Sequence, residues 1–179
     1  MAAMLEIEVK IRTNDLQSVR NKLEGMGAQV LQERHHEDNT LYDFRSRELT
    51  KKKQALRLRR RGRRTILTFK GAPQPSRRFK VREEVETEVR DEKQARRILK
   101  ALGLIPVFEY AKQRTVLRLG RVRVCLDETA IGNFLEIEGE RNRITALLRS
   151  LGIPSRDMIK RDYVEMLQEA GRAKRPGPA

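Results

Sequence analysis

Short segments in which apolar and charged residues alternate recur along most of this chain. In the first of them, the apolar residues Leu5, Ile7, Val9 and Ile11 alternate with Glu6, Glu8, Lys10 and Arg12. Strict alternation is typical of a β-strand with one apolar and one polar face. About eight such strands in one sheet would curl or close. The pattern therefore predicts an α+β fold: an eight-stranded antiparallel closed β-barrel with helices packed outside.

Capping residues and glycines divide the chain into the expected elements. After the first strand, Asn14 and Asp15 offer a cap for a helix that ends at Gly27, and Asp91 caps a second helix, which Gly103 ends. Gly62 lies in a tight hairpin, and a loop or short helix is expected at 44–53. The remaining strands are predicted at 28–39, 55–61, 64–70, 79–89, 107–119, 121–128 and 133–140, and the last two helices at 144–151 and 157–169.

The length of 179 residues fits a single domain, which we assign to residues 1–170. Residues 171–179 are rich in Gly, Pro, Lys and Arg and are expected to be a disordered basic tail. No apolar run approaches the roughly 20 residues that cross a bilayer. The segment Met1–Met4 is also too short for the apolar region of a signal peptide. We therefore expect a cytoplasmic protein that does not bind membranes.

The charge of the chain predicts a polyanionic partner, because 40 Lys and Arg residues outnumber 25 Asp and Glu residues and give a net charge of +15. Nucleic acid is the usual partner of such a chain. The many carboxylates and the scarcity of aromatic residues, with no Trp, argue against it here. A small phosphate-containing partner fits better. A single cysteine, Cys125, excludes an internal disulfide and a Cys-based zinc site.

The charged faces of the predicted strands carry both signs. An ordinary antiparallel sheet with its polar face in water would explain any one strand. For the whole set, recurring Arg and carboxylate residues favour a barrel whose charged faces line a tunnel. Arg and Lys bind phosphate oxygens, whereas carboxylates hold Mg²⁺ or Mn²⁺. Two pairs of carboxylates share a strand face, Glu6 with Glu8 and Glu136 with Glu138.

The order of several motifs resembles the CYTH family, also called triphosphate tunnel metalloenzymes. These motifs are Glu6-Ile7-Glu8-Val9-Lys10, Asn39-Thr40-Leu41-Tyr42-Asp43, Ala55-Leu56-Arg57-Leu58-Arg59, Thr68-Phe69-Lys70-Gly71, Arg82-Glu83-Glu84-Val85-Glu86, Lys112-Gln113-Arg114, Asp127 and Phe134-Leu135-Glu136-Ile137-Glu138. The resemblance implies an eight-stranded tunnel, a divalent metal and a triphosphate-containing substrate.

The resemblance also implies roles for individual residues. Metal would be bound by Glu6, Glu8, Asp127, Glu136 and Glu138, with Glu84 and Glu86 either binding metal or orienting basic neighbours. Phosphates would contact Lys10, Arg57, Arg59, Lys70, Arg82, Lys112 and Arg114. Lys112 is the candidate for positioning or activating the attacking water, and Lys10 is the second candidate for a catalytic role.

Family members divide by reaction, and three functions stay open at this point. The first is hydrolysis of inorganic tripolyphosphate, a nucleoside triphosphate or thiamine triphosphate. The second is a class IV adenylyl cyclase reaction, which yields cyclic AMP and pyrophosphate. Bacterial cyclases of this class usually carry His-Phe before the first Glu, and its absence from Met1–Leu5 favours hydrolysis. The third is a non-catalytic binder of polyphosphate or RNA.

The C-terminal helices are expected to cover the barrel or to form a dimer contact, since dimerisation is common in the family. Tyr163, in the last predicted helix, is interpreted as a packing residue.

Overall fold

Nine β-strands form one antiparallel sheet in the computed structural model, which describes residues 4–171. Eight of them follow one another in the order β5-β4-β3-β2-β6-β7-β8-β1, and β1 also pairs with β5, so the sheet closes into a barrel. The predicted fold class is confirmed. The strands are β1 (Met4–Thr13), β2 (Gln29–Phe44), β3 (Ala55–Arg61), β4 (Arg64–Lys70), β5 (Lys80–Val89), β6 (Leu104–Leu119), β7 (Val122–Thr129), β8 (Gly132–Glu138) and β9 (Met158–Ile159).

Five α-helices connect or follow these strands: α1 (Leu16–Gly25), α2 (Glu48–Lys51), α3 (Glu92–Ala101), α4 (Arg141–Ser150) and α5 (Tyr163–Glu169). Of the two residues offered as a cap for α1, Asp15 is the N-cap, and the predicted N-cap Asp91 is confirmed for α3. Asp15 accepts a hydrogen bond from the Ser18 amide at 2.8 Å, and Asp91 accepts one from the Gln94 amide at 3.1 Å. Such bonds satisfy donors that the first turn of a helix leaves free.

The first strand is the seam at which the barrel closes. Its segment Met4–Glu8 pairs with β5, and its segment Glu8–Thr13 pairs with β8. Beyond Glu8, where the pairing with β5 stops, the short strand β9 pairs with Lys10 and Ile11. Each backbone segment of β1 thus has neighbours that use its hydrogen-bonding groups, as a closed sheet requires.

Apolar residues on the outer face of the barrel pack under the helices. Val9, Leu117 and Ile137 belong to a buried cluster that also includes Leu23 of α1 and Leu147 of α4. A second cluster joins Tyr42, Leu58 and Leu104 on the strands to Ala95 and Leu99 of α3. Burying one face of each strand in this way leaves the alternate, charged residues to face the interior.

Helix α5 packs differently from α1, α3 and α4. Its apolar residues contact two phenylalanines of the strands, Phe108 and Phe134; the residues of α5 are Tyr163, Met166 and Leu167. By strand alternation, Phe108 lies on the same face of β6 as Lys112, and Phe134 lies on the same face of β8 as Glu136. The start of α5 therefore lies against the tunnel rather than outside the barrel. Of the two alternatives predicted for the C-terminal helices, covering the barrel holds for α4 and not for α5, and a dimer contact stays a prediction.

The prediction of one helix over 157–169 was wrong at its beginning. Residues 155–157 form a 3-10 turn, β9 follows, and α5 begins only at Tyr163. Asp162 is the reason, because its side chain accepts the Glu165 amide while the Glu165 side chain accepts the Asp162 amide. This reciprocal capping box fixes the start of a helix. Apolar periodicity alone did not reveal that start.

Within the described part of the chain, no helix has the length and apolar character needed to cross a membrane. The basic tail predicted for 171–179 lies outside the described residues apart from Gly171, which belongs to a turn.

Candidate functional site

The inward faces of the strands bring the predicted site residues together inside the barrel. Most of the cationic side chains among them are buried. The buried charged residues of the predicted site are Lys10, Arg59, Arg82, Lys112, Arg114 and Asp127. Burying an ion in a protein costs free energy unless partners compensate it. The contacts that these groups make show how the interior is balanced.

One region of the tunnel, which we call the carboxylate cluster, consists of Glu6, Glu84, Glu138 and Lys70. The Lys70 ammonium contacts both carboxylate oxygens of Glu6 at 2.8 and 2.7 Å, and Oε2 of Glu84 at 2.7 Å. Glu6 and Glu138 lie on adjoining strands, β1 and β8, and Glu84 lies on β5, on the other side of β1. Lys70 thus serves two of the three acidic side chains, and the third, Glu138, has a longer, 3.8 Å contact with Nη1 of Arg123.

The pKa values of the carboxylate cluster reflect this surplus of acid. Burial, followed by the nearby charge of Glu6, raises the pKa of Glu138 to about 7. Burial also raises the pKa of Glu6, with Lys70 opposing and Glu84 reinforcing the shift. Burial opposes ionisation of Glu84 as well, but Lys70 keeps its pKa below the ordinary value. A cation placed among these oxygens would relieve the repulsion.

A second region, the Asp127 cluster, contains Asp127, Arg114, Lys112, Glu136 and Lys10. Arg114 donates to both oxygens of Asp127, from Nε at 2.6 Å and from Nη2 at 2.5 Å, and it also pairs with Glu136. Lys112 donates to Oδ2 of Asp127 at 3.0 Å, and Lys10 pairs with Glu136. Burial opposes the charge on Glu136, yet Lys10 and Arg114 hold its pKa well below the ordinary value.

Tyr163 is part of this second region, and its interpretation as a packing residue was incomplete. Its hydroxyl donates to Oδ2 of Asp127 at 2.7 Å. The ammonium groups of Lys10 and Lys112 lie 4.4 and 4.7 Å from the centre of its ring, within the range of cation–π attraction. Burial and the neighbouring carboxylates raise its pKa well above the ordinary value, so the hydroxyl keeps its proton.

Two further tunnel residues, Glu37 and Asn39, come from β2. Arg59 donates from Nε to Asn39 at 3.2 Å and from Nη1 to Glu37 at 3.3 Å. Glu37 is buried, but Arg114 and Arg59 overcome that burial and lower its pKa. Glu37 therefore carries a negative charge that helps to hold Arg59 in place.

Not all of the buried cations are saturated by these contacts. Nε of Arg57 and Nε of Arg82 are buried and have no hydrogen-bond partner within the described residues. Leaving a buried charged donor unpaired is costly. The tunnel thus retains unused donors of the kind that match phosphate oxygens.

Two of the predicted acids lie outside the two clusters. Glu86 shares the inward face of β5 with Glu84, but it is exposed and accepts a hydrogen bond from Thr68 at 3.1 Å. Glu8 is 3.9 Å from the Lys80 ammonium. Glu37, Lys80, Asp162 and Tyr163 were missing from the predicted set. Alternation along the strands could have identified Glu37 and Lys80. Asp162 and Tyr163 reach the tunnel from the start of α5, and strand alternation does not predict them.

Carboxylate oxygens are the donors that Mg²⁺ and Mn²⁺ prefer, and the carboxylate cluster supplies them in a region where burial and neighbouring acidic groups raise the pKa of Glu6 and of Glu138. Among residues 4–171, no three Asp, Glu, His or Cys side chains already form an ion-binding arrangement. Lys70 holds Glu6 and Glu84 in their present positions. The residues fit a divalent cation by donor type and by local charge, provided that Glu6 and Glu84 turn away from Lys70.

Comparisons with known proteins agree with this architecture. The model of the CYTH domain matches residues 4–163. A protein of Methanocaldococcus jannaschii named "Putative adenylate cyclase" is 26% identical over 174 residues, covering 91% of this chain and 98% of that protein. A Vibrio parahaemolyticus structure with the same description superposes with a TM-score of 0.83 at 22% identity, covering 93% of this chain and 99% of the other. A Hippeastrum protein, described as revealing a dominant triphosphatase activity, superposes with a TM-score of 0.60 at 20% identity, covering 97% of this chain and 92% of the other.

Proposed function

The chain belongs to the CYTH domain family, and from that membership we propose that it is a divalent-metal-dependent phosphohydrolase acting on a triphosphate substrate. The family is one of triphosphate tunnel metalloenzymes, whose members are adenylyl cyclase-like and triphosphatase enzymes. The proposal rests on one observation. The same tunnel contains arginines with buried, unpaired Nε donors and a cluster of carboxylates. Metal-assisted phosphoryl transfer needs both.

The basic residues would bind the phosphate chain. Arg57 and Arg82 have free Nε donors, and Arg59 is held in place by Glu37. Arginine forks match phosphate oxygens with two parallel hydrogen bonds. Because these groups sit on rigid strands, they would bind a phosphate chain without first having to be ordered.

Glu6, Glu84 and Glu138 would hold the metal ion, with Glu8 on the same strand face as Glu6. Bound there, the ion would neutralise charge on the phosphate oxygens. Lys70 currently balances part of this cluster. With Glu6 and Glu84 holding a divalent ion, the Lys70 ammonium would be free to contact phosphate.

Lys112 would position the attacking water. Its ammonium is fixed by Asp127 at 3.0 Å and by the ring of Tyr163. Lys10 is fixed by Glu136 and by the same ring. In this arrangement Asp127 acts on the cations around it, because Arg114, Lys112 and Tyr163 already occupy its oxygens. We therefore assign Asp127 a positioning role and leave metal binding to the carboxylate cluster.

A substrate panel tests the proposal. The protein is incubated with inorganic tripolyphosphate, ATP or thiamine triphosphate, with Mg²⁺ or Mn²⁺, and phosphate, pyrophosphate and cyclic nucleotide are all measured. We expect metal-dependent release of phosphate. Glu6→Gln should reduce turnover at least a hundredfold, whereas Glu88→Gln, an exposed change on β5, should not alter it. The absence of phosphate release with every substrate and both metals would refute the hydrolase.

Adenylyl cyclase is the second candidate, favoured by the name of the M. jannaschii relative. In that reaction the ribose 3′-hydroxyl attacks the α-phosphorus and pyrophosphate leaves. If cyclic AMP and pyrophosphate are the main products from ATP, the protein is an adenylyl cyclase and the proposed hydrolase function is wrong.

A further inference from the structure

Lys80 and Arg82 stand two residues apart on the inward face of β5, and both are buried. The acid nearest to them comes from a different part of the chain. Oδ2 of Asp162, immediately before α5, lies 3.3 Å from the Lys80 ammonium and 4.0 Å from Nη2 of Arg82. Glu8 also faces Lys80, at 3.9 Å. A C-terminal carboxylate thus contacts two cations of the tunnel.

The capping role of Asp162 does not account for its charge. Its Oδ1 accepts the Glu165 amide at 3.0 Å, which needs only one oxygen. Asn and Ser cap helices about as well as Asp. The second oxygen, Oδ2, is the one that points to Lys80 and Arg82. The negative charge is therefore available for a function other than capping.

The two cations have more binding capacity than Asp162 uses. Nε of Arg82 has no partner among the described residues, and its Nη2 is too far from Asp162 for a hydrogen bond. Both side chains also line a cavity of about 1200 Å³, to which Asp162 contributes one wall. A larger anion with several oxygens could approach through this cavity and bond to both cations.

We propose that Lys80 and Arg82 form a subsite for one phosphate group of the substrate, and that the carboxylate of Asp162 competes with that phosphate for them. The inference rests on the proposed triphosphate substrate. Tyr163 holds the start of α5 independently, through its 2.7 Å hydrogen bond to Asp127. The carboxylate can therefore be exchanged for phosphate while the helix stays docked.

The test is the affinity of the full chain for inorganic tripolyphosphate, measured by isothermal titration calorimetry in EDTA at fixed ionic strength, so that hydrolysis does not interfere. Asp162→Asn keeps the helix cap and removes the charge. It should tighten binding about five- to tenfold, since a charge-assisted contact is lost from a partly exposed site. Asp162→Ser, a second neutral cap, should tighten binding in the same way.

Glu169→Gln is the matched control, because it removes one negative charge from the same helix at an exposed side chain that pairs with Arg161. It should leave the affinity unchanged. In a Lys80→Met background, which should itself weaken binding, Asp162→Asn should have a much smaller effect. Equal tightening in that background would show that only long-range charge is involved, and the inference would fail.

The inference is also overturned if Asp162→Asn binds tripolyphosphate no more tightly than wild type or Glu169→Gln, or if no variant binds it. These outcomes are separate from failure of the proposed function. If the protein hydrolyses no triphosphate but binds tripolyphosphate more tightly after Asp162→Asn, the proposed subsite stands and the proposed hydrolase function fails.

Discussion

Replacing Glu138 by Gln should stabilise the metal-free protein at neutral and alkaline pH. Burial and the charge of Glu6 raise the pKa of Glu138 to about 7, against an ordinary value of 4.5. The folded state therefore holds a proton that the unfolded state releases near pH 4.5. As the pH rises from 4.5 through 7, the wild type loses stability, because the folded carboxyl must ionise beside other acids. Gln removes that loss while keeping a similar shape.

The size of the effect follows from the shift. At about 1.4 kcal/mol per pKa unit, the difference between 4.5 and 7 corresponds to about 3 kcal/mol. The Glu138 side chain is 35% exposed, so solvent screening reduces this figure. We expect a gain of about 1–2 kcal/mol above pH 7. For a chain of this length, that gain raises the melting temperature by roughly 2–8 °C.

Thermal unfolding of both proteins in EDTA, followed by circular dichroism from pH 4.5 to 8.5, measures this difference. The melting temperatures should coincide near pH 4.5 and diverge as the pH rises. With excess Mg²⁺ the order should reverse, because ligand binding stabilises the wild type by about 2.7 kcal/mol at a hundred times the dissociation constant, and the variant lacks one of the proposed metal ligands. A difference that does not change with pH, or a variant less stable than wild type at pH 8 in EDTA, would refute the reasoning.

Two substitutions and one labelling experiment probe the fold around the site. Asp43→Ala should destabilise the protein by about 2–4 kcal/mol in urea unfolding, because the Leu49 and Thr50 amides and the Thr50 hydroxyl lose their acceptor. Burial opposes ionisation of Asp43, but these bonds lower its pKa, so its contribution should fade as the pH falls through the acidic range; equal unfolding midpoints at pH 7 would contradict this. Phe134→Ala should cost about 3–5 kcal/mol, because the ring is fully buried and packs edge-on against Tyr163; a change below 1 kcal/mol would mean that the α5 contact is dispensable. Burial raises the pKa of the Cys125 thiol, so a thiol reagent should modify it only after denaturant unfolds the protein, and fast labelling of the folded protein would disagree.

Alternation along the strands made most of the tunnel predictable. Because side chains on a strand alternate between two faces, Glu6, Arg57 and Glu138 could be assigned to one interior once the sheet was expected to close. The hairpin at Gly62 was also predictable, and its strands end at Arg61 and begin at Arg64 as expected. These features depend on neighbours in sequence or on one repeated pattern.

The contribution of α5 could not be predicted in that way. Whether Tyr163 packs outside the barrel or bonds to Asp127 depends on where the helix docks, and docking is decided by distant residues such as Phe108 and Phe134. The different surroundings of the individual carboxylates could not be predicted from the sequence either. Asp127 and Glu138 are both acids in the sequence, and only their neighbours distinguish them. Two cations and a hydroxyl bond directly to Asp127, whereas Glu138 lies near the acids Glu6 and Glu84 and has a longer, 3.8 Å contact with Arg123.

That difference in surroundings gives the tunnel a polarity. Around Asp127, cations dominate, and they lower the pKa of Glu136 and of Glu37. In the carboxylate cluster, acids dominate, and the pKa values of Glu6 and Glu138 rise. A metal-bound phosphate chain has matching polarity, with a cation on one part and free anionic oxygens on another. Neither bare phosphate nor metal alone would satisfy both regions, so the two regions together favour a metal–phosphate complex over either component.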